Sequence, residues 1–137
     1  MKNKTNRIRT AFTACLLSAF AVAAPLRAAE LSENDKQFLA KYETVRAALA
    51  ADNLEQAKSA AAALGDDGSA IAQSDKIATA RADFTKLSER AIQLGRGQSG
   101  YYVVNCPMLK KDWLQPAGKI SNPYAGKSMP ECGSIRK

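Results

Sequence analysis

The pattern of the sequence changes abruptly near residue 95. Residues 30–95 are rich in alanine, which favours helices and permits helices to approach closely. Beyond residue 96, four of the five prolines and five glycines interrupt any helical periodicity. The sequence therefore predicts a helical part followed by a segment of loops and turns.

Apolar residues recur at helical spacing in three regions before residue 95. These stripes are Phe38, Tyr42, Val45 and Leu49; then Leu54, Ala57, Ala61 and Leu64; then Ile77, Phe84, Leu87, Ala91 and Leu94. Short connections between such helices favour antiparallel neighbours. We therefore expect a mainly α fold, a small antiparallel bundle of three to four helices.

Capping residues suggest where these helices begin and end. Ser32 is expected to cap the first helix and Asp52 the second, each with an acidic residue three positions on. Gly65 is expected to end the second helix in a left-handed conformation. The third region, 69–94, contains Ser74-Asp75, where another cap can start a separate helix.

The C-terminal segment, residues 97–137, is expected to be irregular. Its one strand-like stretch is Tyr101–Val104, and the remainder is expected to form loops or short turns. An irregular stretch of this length within a compact domain usually has a function or an internal tether.

Residues 1–29 have the features of a secretory signal peptide. A basic start precedes an uncharged run of 14 residues, Ala11–Ala24, and small residues follow. A membrane span needs about 20 residues, so an uncleaved anchor is the weaker interpretation. Cleavage is expected between residues 23 and 30, which leaves 30–137 as a single periplasmic domain with no stable membrane insertion.

Signal removal changes the charge of the protein. The chain has a net charge of +7, but five of its 20 basic residues and none of its 13 acidic residues lie in 1–29. The mature chain is left with a net charge of +2 and no basic run, so nucleic acid is not an expected partner. The chain has no histidine, which excludes Ser-His and Cys-His catalysis. We do not expect an enzyme.

Every sulfur atom of the mature chain lies in the C-terminal segment. Cys106 and Met108 form one pair, and Met129 and Cys132 form the other. Thiolates and thioethers are soft ligands that select Cu(I) or a similar ion, and side chains two positions apart share a face of an extended chain. The aromatic residues Trp113, Tyr101 and Tyr102 are candidates to shield such a site from water.

A disulfide is the principal alternative for the same cysteines. Two cysteines in an exported domain commonly form one, and Cys106–Cys132 would close a loop of about 25 residues, stabilising by about 3 kcal/mol. The methionines and aromatics would then simply contribute packing. Both interpretations hold together if the disulfide is the oxidised form of a metal site. A catalytic thiol is disfavoured because no histidine can act as its base.

Four motifs in a fixed order give the chain a resemblance to a known family. They are Tyr102–Met108, Trp113-Leu114, Ile120–Met129 and Cys132-Gly133. They resemble a domain of unknown function found in stand-alone periplasmic proteins and attached to the adaptor subunits of heavy-metal efflux pumps of the resistance-nodulation-division type.

The resemblance implies a helical domain associated with copper or silver handling. Its implied metal ligands are Cys106, Met108, Met129 and Cys132, and its implied partner is a periplasmic efflux adaptor or a metallochaperone. The chain departs from the family at Asn105, where members often have histidine, and at Ala125, where they usually have an aromatic residue. Asn122-Pro123 is expected to initiate a turn.

Overall fold

The structure, a computed structural model, describes residues 30–136. The predicted signal peptide lies outside the described residues. Within them, the elements in chain order are α1 (Glu33–Ala50), α2 (Leu54–Ala62), α3 (Ser69–Ala72), α4 (Ile77–Gly95), β1 (Tyr101–Cys106), β2 (Lys111–Pro116) and β3 (Ser134–Ile135). Short 3-10 turns occur at Gly65–Gly68 and Gly126–Ser128. No helix of this part of the chain has both the length and the apolar character needed to cross a bilayer.

The predicted cap of α1 is confirmed, and the predicted cap of α2 is wrong by one residue. Ser32 Oγ accepts a hydrogen bond from the Asp35 amide at 3.2 Å. At α2 the cap is Asn53, whose Oδ1 accepts from the Gln56 amide at 3.0 Å. Asp52 is unavailable as a cap because its backbone is left-handed, with φ of 58°.

The third helical region is interrupted, as the sequence predicts. The short α3 ends at Ala72 and α4 begins at Ile77, with Ser74 buried between them. Ser74 does not cap α4; its hydroxyl donates instead to the Ala70 carbonyl at 3.0 Å. Gly65 adopts the predicted left-handed conformation, with φ of 61°, but it does not end α2, which already stops at Ala62.

The helices form one apolar layer. Helix α1 packs against α2 and α4, and α3 packs against α2 and α4. The aromatic centre of this layer is the stacked pair of Tyr42 and Phe84, whose ring centroids lie 5.3 Å apart. The mainly α prediction is confirmed for this part of the chain.

The expectation of an irregular C-terminal segment with one short strand is wrong. Within residues 30–136, this segment forms a three-stranded antiparallel sheet in the order β2-β1-β3. Strand β1 extends the predicted Tyr101–Val104 by two residues. Strand β2 escaped prediction because Lys, Asp and Pro, which are depleted in strands, make up half of it.

The two faces of the sheet contact different layers. Val103 and Leu114, paired across β1 and β2, belong to the helical core. Val104 and Trp113, the next pair, point the other way into a second, smaller cluster that contains Cys106. The sheet therefore separates a helical layer from a layer formed by the end of the chain.

Helical hydroxyl groups bond the outer edge of β2. Tyr42 Oη donates to the Leu114 carbonyl at 2.9 Å and accepts from the Leu114 amide at 3.2 Å. Ser88 Oγ of α4 donates to the Asp112 carbonyl at 3.1 Å. These bonds satisfy backbone groups that an edge strand would otherwise expose. Burial raises the pKa of Tyr42 far above its ordinary value, so its hydroxyl stays protonated.

Helix α4 approaches β2 closely at its last residue. A Cβ atom added to Gly95 would lie 2.3 Å from a methyl carbon of Leu114. Such a separation is well inside van der Waals contact, so only glycine permits this approach without movement of Leu114. The same residue that ends the helical pattern in the sequence thus also permits the sheet to dock.

Candidate functional site

The structure brings Cys106 and Cys132 together as a disulfide. Their Cα atoms lie 5.7 Å apart across a separation of 26 residues, within the usual range for a disulfide. Cys106 is the last residue of β1 and is fully buried, whereas Cys132 is half-buried just before β3. The disulfide therefore ties the central strand to the end of the described chain.

An apolar cluster surrounds the cysteine pair on the sheet face away from the helices. Val104, Cys106 and Trp113 are buried at its centre, and the residues packed against them are Tyr102, Leu109, Ile120, Tyr124 and Cys132. The chain passes close over this cluster at Gly133, where an added Cβ would lie 2.7 Å from Val104 and 2.9 Å from Trp113. Glycine after Cys132 is thus required for the close approach that seats the cysteine.

The predicted shielding residues divide between the two sides of the sheet. Trp113 and Tyr102 lie with Cys106, whereas Tyr101 packs against the helical core. Tyr124 bridges both clusters, with its ring centroid 5.6 Å from that of Phe84 and 6.3 Å from that of Trp113. Burial raises the pKa of Tyr124 to about 12.

The two methionines differ in exposure. Met108 lies in the turn between β1 and β2, and its exposed fraction is 74%. Met129 is half-buried, and its carbonyl accepts a hydrogen bond from the Cys132 amide at 3.3 Å. The two cysteines are thus adjacent, whereas the Met108 thioether lies in solvent at the turn that joins β1 to β2.

A buried glutamine fixes Trp113 and the loop that crosses it. Gln115 is 2% exposed, and its Oε1 accepts from Trp113 Nε1 at 2.9 Å and from the Ser121 amide at 3.2 Å. Its Nε2 donates to the Lys119 carbonyl at 3.0 Å. One amide side chain therefore joins β2 to both ends of the loop segment 119–121.

Asn122 holds the loop that carries Cys132, in agreement with the turn predicted at Asn122-Pro123. Its buried Oδ1 accepts from the amides of Tyr124 and Ala125 at 2.9 and 3.1 Å. Its Nδ2 donates to the carbonyl of Cys132 at 3.0 Å. Asn122 thus forms the turn and binds the backbone of the cysteine ten residues later.

Two arginines of the helical layer, which the sequence analysis did not single out, bind the same loop. Arg46 Nη1 of α1 donates to the Ser121 carbonyl at 2.6 Å, and Arg81 Nε of α4 donates to the Pro123 carbonyl at 2.8 Å. Asp52 completes the contact by accepting from the Lys127 amide at 3.0 Å and from Arg81 Nη2 at 2.5 Å. The hydrogen bond from Arg81 holds the pKa of Asp52 below its ordinary value.

The sequence contained one signal for this contact. Arg46 interrupts the apolar face of α1 next to Val45, and the residue as a whole is only 6% exposed, which is unusual for an arginine. A buried arginine needs a hydrogen-bond acceptor, and Ser121 supplies a carbonyl. The acceptor lies 75 residues away in sequence, so no local pattern identifies it.

The pair has two chemical forms with different uses. As a disulfide it cross-links the sheet. As a dithiol it offers two adjacent sulfur donors, with further thioethers on the same segments. Within residues 30–136, no group of three or more His, Cys, Asp or Glu side chains is arranged to hold a metal ion. The thiols and thioethers of this segment are donors of a kind that favours soft ions.

No family model, no curated protein and no solved structure matches this chain.

Proposed function

We propose that the protein is an exported periplasmic module that binds Cu(I) or Ag(I) through the thiolates of Cys106 and Cys132. It would buffer the ion or pass it to a heavy-metal efflux adaptor or metallochaperone. The proposal includes the family suggested by the sequence motifs and the removal of residues 1–29 on export. No catalytic role is part of it.

The observation that carries the proposal is the approach of the two cysteines. Their Cα atoms lie 5.7 Å apart, although 26 residues separate them in sequence. Exchange with an external dithiol converts the disulfide to two thiols and leaves the external dithiol oxidised to a disulfide; a soft ion then displaces the two thiol protons. Two thiolates at this spacing match the preference of Cu(I) and Ag(I) for few, soft ligands.

The methionines supply the remaining soft donors. Met108 is 74% exposed, two residues beyond Cys106, where an incoming ion can reach its thioether. Met129 is three residues before Cys132 and is joined to it by a backbone hydrogen bond. We assign Met108 and Met129 supporting roles, because the cysteines alone are fixed beside each other.

A Cu(I) titration of reduced protein purified from the periplasm tests the proposal. With a chromogenic chelator as competitor, the wild type is expected to remove one equivalent of Cu(I). The Cys106→Ser/Cys132→Ser variant is expected to remove none. Met108→Leu and Met129→Leu are matched controls that keep the thiols and are expected to weaken binding less. Equal Cu(I) binding by the wild type and the double variant would overturn the assignment.

A disulfide-stabilised structural or partner-binding domain without metal is the second candidate. The observation that favours it is the burial of Cys106 at 0% exposure within an apolar cluster. Intact mass before and after alkylation of protein taken directly from the periplasm separates the two. A disulfide that persists in cells exposed to copper supports the structural role, and two free thiols exclude it.

A further inference from the structure

We propose that Arg46 and Arg81 are positioning residues for the cysteine pair. They hold segment 121–132 against the helical layer, so that the two sulfurs remain neighbours when the disulfide is reduced. The inference rests on the proposed function in one respect, namely that the reduced pair is the form that binds the ion. The contacts themselves concern the protein alone.

Arg81 is the centre of the attachment. Besides Pro123, its guanidinium binds the Leu49 carbonyl at 2.8 Å, and it forms an ion pair with Asp52. Its side chain is only 16% exposed, so its bonds to the Pro123 and Leu49 carbonyls form largely away from water, where they are stronger; Asp52 itself is partly exposed. One side chain of α4 therefore joins the end of α1 to the loop.

Arg46 provides a second, independent attachment from α1. Glu43 binds its Nε and Nη2 at 2.7 and 2.8 Å, which fixes the guanidinium plane and directs Nη1 at the Ser121 carbonyl. The side chain of Arg46 is 8% exposed. Because the two arginines bind residues 121 and 123, they flank Asn122 and hold it on both sides.

The loop fits this surface so closely that it leaves no room for a side chain at one point. Gly126 has φ of 55°, and an added Cβ would lie 2.0 Å from Asp52 Oδ1 and 2.2 Å from Arg81 Nη2. A Cβ at this position would therefore force the loop away from Arg81. The conformation and the contact both require glycine.

Asn122 transmits the attachment to Cys132. Its backbone amide donates to the Pro130 carbonyl at 2.9 Å, and its side-chain Nδ2 donates to the Cys132 carbonyl at 3.0 Å. Neither bond involves sulfur. The position of the Cys132 backbone relative to the helices is thus set by polar contacts that reduction leaves intact.

The thiol–disulfide equilibrium with glutathione measures this positioning directly. Dithiol protein and oxidised glutathione give protein disulfide and two reduced glutathiones, and the equilibrium constant reports how closely the thiols are held together. For Arg81→Gln we expect a constant lower by roughly tenfold, since a hydrogen bond to a charged group contributes about that factor or more. Arg81→Lys keeps a charge for Asp52 but loses the two-armed contact, and should lie between wild type and Arg81→Gln.

Arg90→Gln is the matched control. Arg90 also lies on α4 and pairs with an aspartate, Asp67, but this aspartate and the Phe38 ring under its guanidinium both belong to the helical layer. For Arg90→Gln we expect a thiol–disulfide equilibrium constant within about twofold of the wild-type value, even if the free energy of unfolding of this variant falls. Equal constants for wild type and folded Arg81→Gln would overturn the proposal, as would a fall of the same size in Arg90→Gln.

Two measurements remain if Arg81→Gln does not fold. Gly126→Ala should lower the constant without removing any hydrogen-bonding side chain. In the reduced wild type, the amides of residues 124–127, which donate to Asn122 and Asp52, should stay protected from exchange. Exchange at the rate of an unstructured segment would overturn the proposal.

These tests contain no metal, so they separate the two proposals. A low equilibrium constant in Arg81→Gln together with a Cu(I) titration that fails would support the positioning and reject the metal function. If the wild type binds Cu(I) but Arg81→Gln leaves the thiol–disulfide equilibrium constant unchanged, the metal function would be supported and the positioning role rejected.

Discussion

The helical layer and the C-terminal layer lie on opposite faces of one sheet and are stabilised differently. Fifteen buried residues form the core of the helical layer, whereas three, Val104, Cys106 and Trp113, form that of the other. The C-terminal layer adds a disulfide, the buried amides of Gln115 and Asn122, and two arginine contacts. A segment that buries little apolar surface is thus held by directed bonds.

The directed bonds of the C-terminal layer are complete. Within residues 30–136, every buried side-chain nitrogen or oxygen has a hydrogen-bond partner. A buried polar group without a hydrogen-bond partner costs free energy. Removing one partner of such a bond therefore lowers the stability of the protein, because the other partner is left buried and unpaired. We therefore expect apolar truncations to lower the free energy of unfolding most in the helical layer. Changes in polar groups should lower it chiefly where the two layers meet.

Phe84→Ala tests the helical layer and should have the largest effect. Removal of this fully buried ring is expected to lower the free energy of unfolding by about 3–5 kcal/mol. Urea denaturation with and without reductant should give the same loss, since the ring lies in the apolar core. The exposed Lys86→Ala, on the same helix, should change the free energy by less than about 0.5 kcal/mol. A loss that appears only in reduced protein would contradict the division into layers.

Removal of the disulfide tests the C-terminal layer. Cys106→Ser/Cys132→Ser should lower the free energy of unfolding by about 3 kcal/mol, because the bond closes a loop of 26 residues in the unfolded chain. The far-ultraviolet circular dichroism of the helices should persist without denaturant. Loss of that helical signal would show that the helical layer depends on the disulfide.

Tyr42→Phe tests the junction between helices and sheet. Without its hydroxyl, the Leu114 amide and carbonyl lose their partner, and the free energy of unfolding should fall by about 1–3 kcal/mol. The folded protein raises the pKa of Tyr42, and that of Tyr124 to about 12. Their contribution is therefore complete below the ordinary tyrosine pKa of about 10 and is lost as the pH rises above it. Thermal unfolding from pH 8 to 12 should show a shallower alkaline decline in the variant.

Asp52→Asn tests the attachment of the loop and should have the smallest effect, about 1 kcal/mol or less, because the carboxylate is partly exposed. The pKa of Asp52 is lowered in the folded protein, chiefly by the hydrogen bond from Arg81. Its stabilisation is thus present above the ordinary carboxyl pKa of about 4 and is lost as the pH falls through the lowered value. Thermal unfolding from pH 2 to 6 should show a flatter acid limb in the variant. An unchanged acid limb would mean that this carboxylate does not stabilise the contact.

Much of the helical layer was predictable because its rules are local. The Ser32 cap, the left-handed Gly65 and the break before α4 each depend on residues a few positions apart. The cap of α2 was misassigned to Asp52 because a local rule cannot weigh an arginine 29 residues away. Local preference was outweighed there by the bonds that Asp52 makes with Arg81 and with the Lys127 amide.

The candidate site was only half predictable. The pairing of Cys106 with Cys132 was one of the expected outcomes, and the turn at Asn122 was expected. Strand β2 was not, because its polar residues Lys111, Asp112 and Gln115 are held by partners in α4, in β1 and in the following loop, respectively. The separation of Tyr101 from Tyr102 follows from the alternation of a strand whose two faces are both covered.

The order of residues by itself determined which stretches are helical, where the first helix begins and which segment carries sulfur, since hydrophobic period, caps and glycines act over a few positions. Only the tertiary structure decided that the segment forms a sheet covered on both faces, that the cysteines meet, and that Arg46 and Arg81 hold the loop between them. The last two outcomes depend on contacts across 26 to 75 residues, where the geometry of the whole chain outweighs any local preference.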